Sequence, residues 1–212
     1  MWNNLPDVKI YNFSAGPACL PDMVLKAVQE AATDYKGLGM SLMEMSHRSA
    51  PIIDLFDEVT SRVRILLNVP SNYHVLWLQG GASLQFSMIP LNLLPDDGSA
   101  DYLDTGAWSS KAIMECNRVG VANVIGTSKE SNYACIPKEY EQDTNSKYLH
   151  ITSNNTVYGT QFNVIPHIGN SDSFLVADMS SDIFSRPVDV SKFGLIYAGA
   201  QKNMGPAGVT MV

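Results

Sequence analysis

Apolar positions along this chain change rhythm partway through. Val24, Leu25, Val28, Ala32 and Tyr35 recur at helical spacing after Pro21-Asp22, and Gly37 marks a stop, so a first helix is predicted there. A second is predicted over 52–67, where Ile53, Phe56, Val63 and Leu67 fall near one face before Pro70. Beyond 73, short apolar runs alternate with helical stretches. Strands are expected at 73–78, 101–104, 121–125, 148–152, 174–177 and 195–198, with helices from Gly80-Gly81 through Leu94 and over 108–118. That alternation predicts an α/β fold, a three-layer α/β/α arrangement around a mostly parallel sheet. Ligands in such sheets gather beyond the carboxyl ends of the strands, where this chain places small and polar residues. Residues 1–20 read as an extended arm ending in Ser14-Ala15-Gly16-Pro17-Ala18, and 21–212 as the layered domain. The final run, Val209 to Val212, is expected to leave the sheet with an open edge or an uncovered face.

Composition narrows the function classes. With 212 residues, 45% of them apolar and 17% charged, the chain supports one substantial core. Twenty-one acidic against 14 basic residues give a net charge of −7, without Lys/Arg runs, which argues against nucleic-acid or anionic-membrane binding. An anionic small molecule needs only a few local cations and stays open. Cys19, Cys116 and Cys135 are odd in number and widely spaced, with neither disulfide nor zinc pattern. No secretory leader or membrane-length apolar run is present, so a cytoplasmic location is expected.

The candidate chemistry concentrates where strands end. Lys202 follows the strand-like Phe193 to Ala198 within Gly199-Ala200-Gln201-Lys202-Asn203, and Asp178, directly after Phe174-Leu175-Val176-Ala177, lies twenty-four positions upstream. A lysine in a small-residue turn has little packing to gain, and desolvation would favour its use as a Schiff-base amine. An acid at a buried strand end needs a partner, which a protonated ring nitrogen supplies; a serine such as Ser180 would serve equally. Lysine and aspartate together make the minimal protein half of a pyridoxal phosphate site. Gln79-Gly80-Gly81-Ala82-Ser83 joins a strand to a helix whose free N–H groups can hold a phosphate, though a plain turn needs the same glycines. Trp108 opens a helix where it can stack on a planar group or simply pack. Ser153-Asn154-Asn155-Thr156 offers hydrogen-bonding side chains or merely satisfies its own backbone. His47-Arg48 is a local cation pair, and Arg48 suits bidentate capture of a carboxylate or phosphate. His74, His150 and His167 have no convincing partner in the sequence and read as structural.

Taken in order, these segments resemble the phosphoserine aminotransferases, class V members of the fold-type I pyridoxal phosphate enzymes. The likeness runs from Asn12-Phe13-Ser14-Ala15-Gly16-Pro17 through Met43-Glu44-Met45-Ser46-His47-Arg48, Leu78-Gln79-Gly80-Gly81-Ala82, Gly106-Ala107-Trp108 and Ala177-Asp178-Met179-Ser180-Ser181 to Gly199-Ala200-Gln201-Lys202-Asn203-Met204-Gly205-Pro206. The resemblance implies that Lys202 carries the cofactor and later moves the proton, that Asp178 pairs with the pyridine nitrogen, and that Trp108 stacks on the ring. It implies Thr156 on the phenolic oxygen, Ala82, Ser83 and Gln201 on the cofactor phosphate, and Arg48 with His47 at the substrate's acidic group. The reaction implied is amino transfer between L-glutamate and 3-phosphohydroxypyruvate, giving O-phospho-L-serine and 2-oxoglutarate, with a related step in pyridoxine synthesis. This chain has Ala82-Ser83 where the family can carry Gly-Arg. Family members also continue into a small C-terminal domain that supplies further substrate and phosphate contacts.

The resemblance therefore leads to the expectation of an incomplete large domain that pairs with a second copy or with a complementary C-terminal segment. A non-catalytic or partner-dependent fragment retaining the fold is the alternative. A cysteine desulfurase or lyase is disfavoured, because nothing around the three cysteines suggests an activated thiol.

Overall fold

The computed structural model describes residues 10–169 and 172–212. Residues 1–9 of the expected arm lie outside the described residues, and 10–21 carry no helix or strand. Two helices come first. α1 spans Asp22–Thr33 and, although amphipathic, buries none of its residues. α2, Ala50–Leu66, starts with proline in its first turn, where the missing N–H is not needed, and buries Ile52 and Val63.

A seven-stranded sheet then forms from β1 (Trp77–Leu78), β2 (Ser99–Asp104), β3 (Val121–Thr127), β4 (Tyr148–Thr152), β7 (Phe174–Asp178), β8 (Leu195–Gly199) and β9 (Thr210–Met211), in the order β1-β9-β8-β7-β4-β2-β3. The five strands from β8 to β3 are parallel; β9 runs antiparallel between β8 and β1. Two-residue strands β5 (Asn154–Asn155) and β6 (Thr160–Gln161) make a separate small hairpin. Helices α3 (Gly81–Leu93) and α4 (Ala107–Cys116) link the first strands.

The sequence pattern explains the layering. β4 is buried along its whole length because helices or loops cover both its faces, so its residues read as a continuous run rather than an alternation. Leu103, Leu149, Ile151, Leu175 and Ala177 point to one face, against Val63 and Leu67 of α2 and the later Ile183, Val190 and Phe193. Tyr102, Tyr148, Val176 and Tyr197 point to the other, against Phe86 and Ile89 of α3 and Ala112 and Cys116 of α4. The mostly parallel α/β/α arrangement is as the sequence predicts.

Two expectations are corrected. The strand expected over 73–78 joins the ladder only at Trp77–Leu78; Leu76 exchanges both backbone bonds with Val212 just outside it, at 2.8 and 3.0 Å. The final run does not leave an open edge. Thr210 and Met211 are enclosed between β8 and β1, and the sheet's edges are β1 and β3. Only two residues pair there, too few to carry a periodic signal.

The parallel register brings the strand ends to one edge. Thr152 aligns with Asp178, and Asp178 with Tyr197, so β4 and β7 finish level while β8 runs two residues further to Gly199. At the opposite end Gly194 lies against Phe174: a Cβ there would sit 2.4–2.8 Å from the phenylalanine ring and its own Cβ. Gly194→Ala is expected to destabilise the chain by about 1–3 kcal/mol through overpacking. Denaturant unfolding checks this, and an unchanged midpoint would show that the two strand starts have room to part.

Candidate active site

Four turns meet at the shared carboxyl edge. The first leads into α3. Gly80 takes a left-handed conformation (φ 91°) that a side chain resists, and no side chain caps the helix, so its first N–H groups are left for another acceptor. Gly199, at the end of β8, lies close against this helix start, because a Cβ on it would come within 3.4 Å of the Ala82 backbone nitrogen and 2.7 Å of Gln201 Oε1. Gln201 and the Ala82-Ser83 turn thus sit together around free helix N–H groups, an arrangement that suits an anion.

The second turn, Thr105-Gly106, is fixed by a buried network. Ser109 Oγ accepts from the backbone N–H groups of Thr105 and Gly106, each at 2.9 Å, and donates to Asp104. Asp104 also accepts from Ser110 (2.8 Å) and Tyr133 (3.1 Å), while Asn155 Nδ2 donates to Thr105 Oγ1 at 3.1 Å. These bonds set where α4 begins and therefore where Trp108 lies. Lys111 Nζ stands 4.5 Å from the centre of the Trp108 ring, and the indole N–H is buried without a partner.

The third turn follows β7. Asp178 is only 6% exposed, and its Oδ1 accepts from the backbone N–H (2.9 Å) and hydroxyl (2.6 Å) of Ser180. Ser180 Oγ in turn accepts from Gly199 N at 3.0 Å, tying the ends of β7 and β8 together. Burial pushes the Asp178 carboxyl above its ordinary value, and the two Ser180 bonds and the nearby Lys202 charge pull it back.

The fourth turn carries Lys202, half-buried, whose Nζ donates to Thr156 Oγ1 at 3.1 Å. The N-terminal arm closes over it. Ala18 N donates to Gln201 O at 2.8 Å, and a Cβ on Gly16 would lie 2.9 Å from Lys202 Cε. Burial lowers the lysine's pKa, and the Asp178 charge opposes that shift.

Between these turns lies a cleft of about 250 Å³ lined by Ala82, Ser83, Trp108, Asp178, Gln201 and Lys202, together with Thr152 and Pro17. The structure thus brings together the cofactor-side residues that the sequence singles out, with Thr156 attached through Lys202. It does not bring in His47 or Arg48, which are exposed in the turn before α2 and line no part of the cleft. Thr152 was not anticipated: its hydroxyl is buried, unpaired and at the cleft wall. Nor is His150 without a partner, since its Nε2 lies 2.9 Å from the Tyr197 hydroxyl, a contact between residues 47 apart that local sequence does not reveal. A larger groove of about 410 Å³, lined by Val63, Leu67, Val75 and Met211 among others, is apolar and holds none of this chemistry.

The cleft can hold an anion at α3, a flat cationic ring between Trp108 and Asp178, and a carbonyl within reach of an amine. The sequence profile described as "Aminotransferase class-V" matches residues 10–212. A phosphoserine aminotransferase of Desulfatibacillum aliphaticivorans is 54% identical over 202 residues, covering 95% of this chain and 55% of the relative. The solved phosphoserine aminotransferase from Bacillus circulans subsp. alkalophilus superimposes with a TM-score of 0.91 at 49% identity, over 96% of this chain and 56% of that one. The phosphoserine aminotransferase of Trichomonas vaginalis, solved with PLP bound, gives 0.87 at 37% identity, over 96% and 57%. The chain therefore spans little more than half the length of these relatives.

The opposed influences on Lys202 give a test. Labelling of its amine as a function of pH is expected to show a midpoint below lysine's ordinary 10.5. Asp178→Asn, which removes the charge that favours the ammonium form, is expected to lower that midpoint further. A midpoint that rises in Asp178→Asn would contradict the electrostatics described.

Proposed function

The chain belongs to the class-V aminotransferase family, and we propose that it is the cofactor-binding part of a pyridoxal phosphate-dependent phosphoserine aminotransferase. The observation that carries this reading is the convergence of Asp178, Lys202, Trp108 and the uncapped start of α3 on one cleft. The residues present fit the cofactor: an anion cradle, an aromatic face, a buried carboxylate, a half-buried amine and the unpaired Thr152 hydroxyl match its phosphate, ring, ring nitrogen, carbonyl and polar substituents.

Pyridoxal phosphate, when bound, supplies a carbonyl that condenses with amines and a protonated ring that takes up the electron pair left when an α-proton departs. The chain's residues do the rest. The α3 N–H groups with Ser83 and Gln201 hold the phosphate. Asp178 keeps a proton on the ring nitrogen, and its own charge is stabilised by Ser180. Trp108 would cover a ring face, and Thr156, which accepts from Lys202 Nζ, would orient that amine and meet the phenolic oxygen. Lys202 Nζ, the half-buried amine of the cleft, would hold the cofactor's carbonyl and would serve as the base that moves the substrate's α-proton.

The amino-group exchange is between L-glutamate and 3-phosphohydroxypyruvate, giving O-phospho-L-serine and 2-oxoglutarate, a step of serine synthesis performed in the cytoplasm. The name carried by the relatives supports this pairing. Residues 21–212 are the incomplete cofactor-binding large domain, preceded by an arm whose Gly16 to Ala18 stretch lies against Gln201 and Lys202. Arg48 and His47 meet the substrate's acidic group only once a second copy or a C-terminal segment closes over the cleft. Apolar side chains exposed around α1 and before or within α2, including Met23, Leu25, Met43, Ile53 and Phe56, support such a covering partner.

Mixing the purified chain with pyridoxal phosphate is expected to give a visible absorption band and, after borohydride reduction, a phosphopyridoxyl adduct mapped to Lys202 and absent from Lys202→Ala. An adduct elsewhere or none at all would overturn the cofactor reading. An adduct on Lys202 without amino transfer from glutamate would favour the second reading, a partner-dependent fragment, which the position of Arg48 outside the cleft also supports.

A further inference from the structure

Behind the cleft lies a row of buried polar groups that no step above uses. Tyr197 sits in β8 with no exposed surface, in register with Asp178 of β7. Its hydroxyl lies 2.9 Å from His150 Nε2 on one side, and its register partner on the other is Asp178. The His150 ring, 2% exposed, stacks on Tyr102 at 4.9 Å and 26°, and its Nδ1 is buried without a partner. Phe86 of α3 meets Tyr197 edge-on at 6.3 Å and closes the row from above.

We propose that Tyr197 is a positioning residue for Asp178, its hydroxyl proton directed onto the carboxylate by His150. This rests on the reading of the cleft as a pyridoxal phosphate site and names what sustains its ring-nitrogen partner.

Proton placement follows from counting donors. Burial lowers the His150 pKa to about 3, so the ring is neutral and carries one N–H. If that proton sat on Nδ1, a ring N–H would be buried unpaired, and Tyr197 would spend its hydroxyl proton on Nε2 instead of the carboxylate. With the proton on Nε2, His150 donates to Tyr197 and Tyr197 donates to Asp178, leaving only a weak acceptor unpaired. Asp178 then receives a donor from β8 in addition to the two from Ser180. The titratable groups around the row are Lys202 beyond the sheet end, Tyr148 and Tyr102 on β4 and β2, and Cys116 of α4; among these only Lys202 brings a charge near Asp178. Burial raises Tyr197 far above an ordinary phenol, so it stays a donor at all working pH values.

Each donor makes the carboxylate a weaker base and leaves the shared proton on the ring nitrogen rather than on Asp178. Loss of Tyr197's donor moves that proton the other way.

The test reads Asp178 directly. In the 212-residue chain with ¹³C-labelled aspartate and no pyridoxal phosphate added, the Asp178 carboxyl is assigned by its loss in Asp178→Asn. Tyr197→Phe, which keeps the ring against Phe86, is expected to raise the Asp178 midpoint by about one pH unit. His150→Phe, which keeps a ring stacked on Tyr102, is expected to raise it by less. The double variant is expected to match Tyr197→Phe, because His150 acts through the tyrosine. Should Tyr197→Phe not fold, 3-fluorotyrosine at position 197, nearly the same shape and a stronger donor, is expected to lower the midpoint. With ring-¹⁵N pyridoxal phosphate bound, the ring nitrogen signal is expected to move toward the neutral-pyridine position in Tyr197→Phe.

An Asp178 midpoint unmoved by Tyr197→Phe or by the fluorinated residue would overturn the proposal, as would a His150→Phe effect that persists in full on the Tyr197→Phe background. Because the carboxyl titration needs no cofactor, its failure is distinct from a failure of Lys202 to take up pyridoxal phosphate.

Discussion

Asp178 takes a carboxylate into the end of β7, where it is 6% exposed, and a charge so placed needs donors or a cation in place of the hydration it loses. The chain answers from three directions. Ser180 folds back from the following turn and the Lys202 charge stands across the cleft, and by the proposal above Tyr197 reaches over from the neighbouring strand. The Ser180 bonds are local, whereas the placement of Lys202 and Tyr197 depends on the parallel register from Val176 with Leu195 to Asp178 with Tyr197. The sheet is the means by which four separate turns are held at one edge to within a hydrogen-bond length.

The same device recurs at the other carboxylate of the edge. Asp104 ends β2, and Ser109, Ser110 and Tyr133 surround it with hydroxyl donors. Its donors fully occupy it, and its work is to fix the start of α4. Asp178 keeps one side toward the cleft. Two acids at equivalent strand ends thus serve different purposes: one is consumed in holding the backbone, the other left able to face a ligand. The functional reading follows from that difference as much as from the identity of the residues.

Much of this was legible in the sequence, for physical reasons. β4 coincides with the strand read from its apolar run, and β7 and β8 differ from theirs by one residue, because strands buried on both faces leave uninterrupted hydrophobic stretches. Asp178 and Lys202 stood out because an acid after such a stretch and a lysine among glycines and alanines are hard to explain as packing. Short β9 was misjudged, since two residues pairing antiparallel between β8 and β1 show no periodicity. The Tyr197–His150 contact was invisible because each residue reads as strand core and the two meet across Val176 of β7. Arg48 and His47 were recognisable as a cation pair, but the sequence around them does not say which surface they face.

The account's central claim is that one cleft at the carboxyl edge holds pyridoxal phosphate by its phosphate, ring and carbonyl at once. A crystal structure of this chain grown with pyridoxal phosphate tests it most directly. The account predicts phosphate density at the N–H groups of Gly81 to Ser83, a ring beneath Trp108 with its nitrogen on Asp178, and continuous density to Lys202 Nζ. Ordered pyridoxal phosphate bound at another surface, with Asp178 and Lys202 untouched, would contradict it.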